Sequence, residues 1–412
     1  MASESAPLTS EKHEFAAAWR YPQFRLLLIS TFGFYIGKWI ETVIGAWLIL
    51  ELTNSPFLVG LLGTCRFAAM LLGPFCGAIA DRFNRRRILI LAQIVYAAGA
   101  LLIMGLFFTD QLMPWHLFLF TIVGGICATF DYSVRYAVAA DIVKSRYLVG
   151  AISLLFVSQG STAILGPLLG GSLLGMIGAS GCFALVAASF LLSFLVLLPM
   201  KTAVLPRPAI QESMWQNLVV GFRYIKSDRS LSAMLLIAAL ANLLIFHYWF
   251  TLIAIFARDV LHTGASGYGL LMAAIGLGYT VGPLITAVLP DFVNKGKLLI
   301  AATIVWPAVL LIFAVSRIIY LSFALLVFAG IFQGISMALI QSLLLLWSAE
   351  EMRGRVSGAR AFAVSAAPLG NLLAGAGAGL WGAPITLITS SAIFILLTVL
   401  IAIWAFEITK RS

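Results

Sequence analysis

Charge is scarce in this sequence, and acidic charge is scarcest. Its 412 residues include 16 Asp and Glu against 26 Lys and Arg, and charged residues make up 10% of the chain where hydrophobic ones make up 62%. That balance excludes a soluble protein of this length, which cannot bury so much apolar surface. Cysteine is sparse too. Cys65, Cys76, Cys127 and Cys182 lie in or beside apolar segments with no metal-ligand spacing, so they read as small packing residues. There is no nucleophile paired with a base, no metal cluster, no phosphate loop and no soluble domain, so an enzyme is not expected and neither is a metal. The apolar–polar alternation of a lipid-facing barrel is absent. The net charge of +10 does not mark a nucleic-acid binder, because the basic residues are not gathered on one domain.

What the chain does have is long apolar runs. About 20 apolar residues cross a hydrocarbon core of about 30 Å, and inside lipid the backbone must satisfy its own hydrogen bonds, so each run is a helix. Twelve are predicted, numbered here as spans 1 to 12: approximately 24–50, 56–80, 88–108, 115–138, 149–177, 182–199, 231–256, 265–289, 298–315, 320–347, 359–380 and 384–406. The first run is too long for the apolar core of a signal peptide, so it is expected to be span 1.

Basic residues favour one side. The even-numbered connections hold Arg82, Arg85, Arg86, Arg87, Lys144, Arg146, Lys201, Arg207, Arg223, Lys226, Arg229, Lys295, Lys297, Arg353 and Arg355, whereas the odd-numbered ones hold Arg258 and Arg317. The positive-inside rule then puts both termini in the cytoplasm. Residues 200–230 form the longest connection and contain Met214-Trp215-Gln216-Asn217-Leu218-Val219-Val220-Gly221-Phe222-Arg223, an amphipathic pattern suited to the inner membrane face. The expected organisation is a cytoplasmic segment 1–23, a six-helix half 24–199, the linker 200–230, a second six-helix half 231–406 and a tail 407–412.

The halves echo each other. Asp81, Asn84, Arg85 and Arg87 have counterparts in Asp291, Asn294, Lys295 and Lys297, and Leu165-Gly166-Pro167-Leu168-Leu169-Gly170-Gly171 is echoed by Leu369-Gly370-Asn371-Leu372-Leu373-Ala374-Gly375. Gly166, Pro167, Gly170 and Gly171 read as a packing motif that lets span 5 approach span 8, whose Gly267, Gly269, Gly276 and Gly278 supply the partner face.

Between spans 2 and 3 runs Gly77-Ala78-Ile79-Ala80-Asp81-Arg82-Phe83-Asn84-Arg85-Arg86-Arg87. This loop resembles the G-x-x-x-D-R-x-G-R-R signature of the major facilitator superfamily, with Asn84 where that family usually has glycine. Asn tolerates the left-handed conformation, which would keep the turn. The resemblance implies an all-α membrane protein of twelve transmembrane helices in two pseudo-symmetric six-helix bundles. It further implies a cytoplasmic gate in which the loop's acid meets the N-terminus of span 11 and an arginine meets an acid on span 4. The residues so implicated are Gly77, Asp81, Arg82, Arg85, Asp131 and Arg135; plain topology-setting charge accounts for Arg86 and Arg87.

Ionisable residues inside a membrane are costly and usually functional. Lys38 and Glu41 in span 1, Arg66 in span 2 and His247 in span 7 are such residues, while spans 3, 6, 9 and 12 carry none. In the fold the resemblance implies, those four spans face lipid. Lys38 and Glu41 share a helix face, so Glu41 can pair with Lys38 or with Arg66. Loss of that partner in a dry cavity favours the protonated acid, which makes Glu41 the proton-coupling candidate, with a static ion pair as the alternative. Lys38, Arg66, His247, Gln159, Asn242, Gln333 and Gln341 are the substrate-cavity candidates, and Asn371 is a further polar group within a span.

Tyr21-Pro22-Gln23-Phe24-Arg25, Leu52-Thr53-Asn54-Ser55-Pro56, Arg135 with Asp141-Ile142-Val143, Phe256-Ala257-Arg258-Asp259-Val260-Leu261 and Arg353-Gly354-Arg355-Val356 resemble, in order and spacing, the enterobactin-exporter and macrolide-efflux-like branch. That implies a secondary active transporter of the bacterial inner membrane, moving a siderophore, secondary metabolite or drug by proton-coupled efflux. It would work as a monomer in lipid, without a cofactor beyond the proton gradient. Lys38 stands where that branch often has an acid. With Arg66 and Arg135 it keeps open a carrier of organic anions or lysophospholipid, or an importer.

Overall fold

The computed structural model describes residues 18–73, 76, 79, 82–201, 214–288, 290 and 294–409. Twelve membrane spans are present and no strand occurs among the described residues. Span 1 is Pro22–Thr53 and span 2 opens as Pro56–Ala68 before tightening over Ala69–Leu72. Spans 3 and 4 are Arg85–Phe108 and Pro114–Ile142. Spans 5 and 6 form one helical run, Leu148–Leu197, broken at Gly178, whose φ of 69° only glycine adopts cheaply. The loop predicted between them is therefore a single-residue turn. A linker helix, Met214–Ser227, precedes span 7, which runs Arg229–Val260 and contains two wide π turns, Tyr248–Leu252 and Phe256–Val260. Spans 8, 9 and 10 are Gly264–Ala287, Lys295–Val315 and Ile319–Leu346. Span 11 is Arg353–Val364 with Ala367–Trp381, and span 12 is Ala383–Trp404.

Local chemistry sets the ends. Asn54, at φ 50°, closes span 1; the Ser55 hydroxyl then accepts from Leu58 N–H and Pro56 starts span 2. Asn84 does not take the left-handed turn expected of a glycine replacement. It is extended, at φ −64° and ψ 112°, and its Oδ1 accepts the Arg87 N–H at 3.3 Å as the N-cap of span 3. Asn294 caps span 9 the same way, accepting from Lys297 N–H at 2.8 Å. This part of the internal repeat is thus a repeated helix cap. Gly77, Asp81 and Asp291 lie outside the described residues.

The end of the bundle where span 1 begins carries the arginine-rich connections and is called the basic end; the other is the far end. At the basic end the linker helix docks on span 11. A Cβ on Gly221 would sit 2.5 Å from the Arg355 carbonyl oxygen, Arg355 Nε donates to Asn217 Oδ1 at 3.0 Å, and Ala349 N–H donates to the Tyr224 hydroxyl at 3.0 Å. Large apolar side chains of spans 3, 6 and 12, such as Leu102, Leu192 and Ile403, are exposed to the surroundings, as lipid-facing helices require.

Within the N-terminal half, Gly166 and Gly170 face Trp39 and Ile40 of span 1, while Gly171 faces span 8. In span 8 only Gly269 and Gly276 of the four expected glycines meet span 5. Gly278 packs on Val327 and Ile331 of span 10, and Gly267 lies against Thr263 of its own helix turn. Successive glycines on one helix diverge because each residue advances by 100°, so one run can serve two neighbours.

The halves meet through two matching clasps. A Cβ on Gly171 of span 5 would lie 2.5 Å from the Ala265 carbonyl oxygen and 2.7 Å from Gly269 Cα; a Cβ on Gly60 of span 2 would lie 2.5 Å from the Asn371 carbonyl oxygen and 2.7 Å from Gly375 Cα. Each has a cross-helix hydrogen bond: Ser266 Oγ donates to Gly171 O at 3.3 Å, and Thr64 Oγ1 donates to Pro368 O at 2.8 Å. The sequence echo puts Gly171 and Gly375 in equivalent places, so the pseudo-symmetry of the fold is also the symmetry of its closure. Arg258, read from sequence as a loop charge, sits in the last turn of span 7 and donates to the Leu50 carbonyl of span 1 at 2.8 Å.

Forcing leucine into either clasp should cost about 1–3 kcal/mol of overpacking, roughly a tenfold shift away from the closed far end. Spin labels at Asn54→Cys and His262→Cys, in a cysteine-free background, should move apart in Gly171→Leu and Gly375→Leu. An unchanged distance distribution would mean that these glycines do not hold the far end shut.

Candidate functional site

The two acids deepest in the spans each have an arginine. Arg66 Nη1 donates to Glu41 Oε2 at 2.7 Å and Nη2 to Oε1 at 3.0 Å, with a further bond from Nη1 to Thr42 Oγ1 at 2.9 Å. All three side chains are buried. Of the two partners open to Glu41, the structure chooses Arg66, because the planar guanidinium fits both carboxylate oxygens at once. Lys38 makes no ion pair among the described residues. Its ammonium stands 5.8 Å from the centre of the Tyr35 ring, and its side chain is half-buried.

Asp131 is paired inside its own helix. Arg135, one turn on, donates from Nε to Oδ2 at 2.7 Å and from Nη2 to Oδ1 at 2.6 Å. Its Nη1 reaches span 1, donating to Thr31 Oγ1 at 3.0 Å, and the guanidinium lies over the Phe34 ring. Both residues are fully buried. The expected contact between Arg85 and Asp131 is therefore corrected: Arg85 Nη1 meets Asp141 Oδ2 at 2.5 Å, at the basic end of span 4. The reason is geometric, since Asp141 lies at the level where span 3 starts and Asp131 lies nearly three turns deeper. Arg86 hydrogen-bonds the Leu197 and Leu198 carbonyls, capping the negative end of span 6, which gives it a structural task besides topology. Arg82 is exposed.

The neutral polar candidates mostly tie helices together. Gln159 Nε2 donates to the Tyr136 hydroxyl at 3.1 Å, and the Tyr248 hydroxyl donates to Gln333 Oε1 at 2.7 Å. Asn242 Nδ2 donates to the Ala238 carbonyl of its own helix. Asn371 Oδ1 accepts from Thr251 Oγ1 at 2.7 Å and flanks Gly63 in the span 2 clasp. Gln341 is half-buried. His247 is buried just before the first π turn, with Nδ1 unpartnered. Thus Lys38, Glu41 and Arg66 come together, whereas Gln159 and Asn242 bond elsewhere, and Gln333 bonds Tyr248 through Oε1 while its buried Nε2 has no partner.

Sequence reading missed two features. Trp39 of span 1 stacks on Trp249 and Phe250 of span 7 at 5.6 and 6.0 Å between ring centres, and Phe67 of span 2 meets Phe250 edge-on at 4.8 Å. This aromatic plug joins the halves at mid-depth. Among the described residues, the hydrogen bonds and ring contacts between the halves lie from this plug to the far end. The second feature is Arg360 of span 11, half-buried, with a buried Nε that has no hydrogen-bond partner. It lies within electrostatic reach of Tyr132 of span 4 and Tyr279 of span 8. Tyr132 is in turn within reach of Tyr35. Arg360 follows Arg353 and Arg355 by seven and five residues, so in sequence it merges with the loop charges; the discriminating signal is that the apolar span has already begun.

The profile of the family described as transmembrane secretion effector matches residues 14–411. The enterobactin exporter EntS of Citrobacter koseri is 29% identical over 346 residues, covering 82% of this chain and 80% of that protein; the EntS of Escherichia coli O1:K1 is 27% identical over the same shares. Among solved structures, a bacterial homolog of the human lysosomal transporter Spinster, in an inward-facing and occupied conformation, superposes with a TM-score of 0.73 at 15% identity, covering 95% of this chain and 97% of that one. The D-xylose-proton symporter gives 0.69 at 13% identity over 92% and 97%.

Removing one partner of the Asp131–Arg135 pair leaves a buried, unmatched charge, which costs about 3–5 kcal/mol. Asp131→Ala should lower the thermal midpoint of purified protein sharply, whereas Asp131→Leu combined with Arg135→Met should recover most of the loss. A single variant as stable as the parent would remove the structural role assigned to this pair.

Proposed function

The chain belongs to the transmembrane secretion effector family of the major facilitator superfamily, and from that premise we propose that it is a proton-coupled exporter of a small amphipathic molecule, such as a siderophore, secondary metabolite or drug. The observation that carries this reading is the two-half architecture joined by clasps at one end. Parting the clasps while the basic end closes would expose the space between the halves to alternate sides. The basic end is cytoplasmic on the positive-inside rule, which puts both termini inside and the clasps outside. The relatives named as enterobactin exporters support the outward direction and a bacterial inner membrane. A single chain holds both halves, so a monomer suffices.

Glu41 is the proton-binding candidate. Its partner Arg66 belongs to the same half, so rocking of the halves leaves the pair intact. A proton must therefore reach Glu41 by displacing the guanidinium, and the neutral acid releases Arg66. Aromatic side chains around Trp39 and Tyr35 supply flat apolar walls for the cargo.

Inverted vesicles test this directly. With the interior acidified, uptake of a panel of siderophores, drugs and lysophospholipids should exceed uptake after the gradient is collapsed, and Glu41→Gln should reduce it to the collapsed level. Gradient dependence that survives Glu41→Gln would leave Glu41 as an ion-pair partner only. Uptake indifferent to the gradient would remove proton coupling.

A further inference from the structure

Charge in the membrane interior does not balance. Glu41 and Asp131 are each consumed by a bidentate arginine, Arg66 and Arg135 respectively. Two cations remain, Lys38 on span 1 and Arg360 on span 11: neither makes an ion pair among the described residues, and Glu41 and Asp131, the carboxylates within reach of Lys38, are already matched by arginines. They belong to opposite halves. Tyrosines from three spans accompany them: Tyr35 lies beneath the Lys38 ammonium, its ring centre 5.8 Å away, Tyr132 is within electrostatic reach of both Tyr35 and Arg360, and Tyr279 is within reach of Arg360. Tyr132 is half exposed.

An unmatched cation at this depth is expensive unless something neutralises it for part of the cycle. Among the described residues the two acids deep in the spans are already paired, so a neutralising group from outside the chain would complete the site. We propose that Lys38 and Arg360 form a divided receptor for the acidic group of the cargo, which is a small organic anion carried on a flat, largely apolar body. The tyrosines would stack on that body and offer hydroxyls to its polar edge. Because the two cations sit on different halves, the anion bridges them and draws the halves together on its own side of the membrane, which couples occupancy to closure. Arg66 and Arg135, which sequence alone nominated beside Lys38, are set aside as anion ligands because the charge of each is already matched by a bidentate carboxylate. The inference rests on the transport reading above but narrows it to one charge class. The same chemistry occurs in a free organic acid and in a lysolipid headgroup.

Two dyes sharing a xanthene ring separate charge from shape: carboxyfluorescein, an anion, and rhodamine 123, a cation. Binding to the full chain in nanodiscs is followed by anisotropy, and uptake by inverted vesicles. The wild type should bind carboxyfluorescein and take it up in preference to rhodamine. Lys38→Gln and Arg360→Gln should each weaken anion binding at least about tenfold, the scale of one lost charged hydrogen bond. Arg360→Lys should restore part of it. Displacement of the dye by lysophosphatidylglycerol would assign the anion to a lipid headgroup, and no displacement to a free organic acid. No anion binding by the wild type, equal binding of the two dyes, or variants that lose both dyes alike would overturn the proposal. Anion binding without uptake would instead count against the export reading while the receptor stands.

Discussion

The cost of holding charge in a low-dielectric interior organises this protein. A lone carboxylate or guanidinium in the membrane is unfavourable by several kcal/mol, and the chain answers by matching acid to base at two places. Glu41–Arg66 fastens span 1 to span 2; Asp131–Arg135 stiffens span 4 and, through Thr31, fastens it to span 1. Both lie within the N-terminal half. That half is thus cross-braced by charge at its centre, while the C-terminal half relies on neutral contacts such as Tyr248 with Gln333 and Thr303 with Ser336. A half held rigid in this way can move as a unit, which is what alternate opening demands.

Between the halves the physics is different. No ion pair among the described residues joins them. They are held instead by close backbone approach at glycines, by hydroxyl-to-carbonyl hydrogen bonds, by stacked rings and by one guanidinium-to-carbonyl bond, from Arg258 to Leu50. None of these contacts pairs opposite charges across the halves, so a two-state motion with a small energy difference is possible. Ion pairs within a half and unpaired contacts between halves form one consistent division of labour.

The residual charge follows from the same constraint. Once Glu41 and Asp131 are paired, Lys38 and Arg360 are left without ion pairs among the described residues, and each has a tyrosine beside it. A site that is electrostatically incomplete in the empty protein is one that a charged cargo can complete.

The sequence by itself determined the twelve spans, the basic end, the two halves and the glycine motif, because hydropathy, topology-setting charge and internal repetition are properties of neighbouring residues along the chain. It also narrowed the partner of Glu41 to Lys38 or Arg66. Only the tertiary structure decided between them, moved Arg85 from Asp131 to Asp141, turned Asn84 from a left-handed substitute into a helix cap, and revealed Arg360 as an interior cation. Each of those outcomes depends on the depth and rotation at which separate helices cross. A local pattern specifies that a helix forms, but which of its faces meets which neighbour, and at what level, is settled by packing against residues a hundred or more positions away.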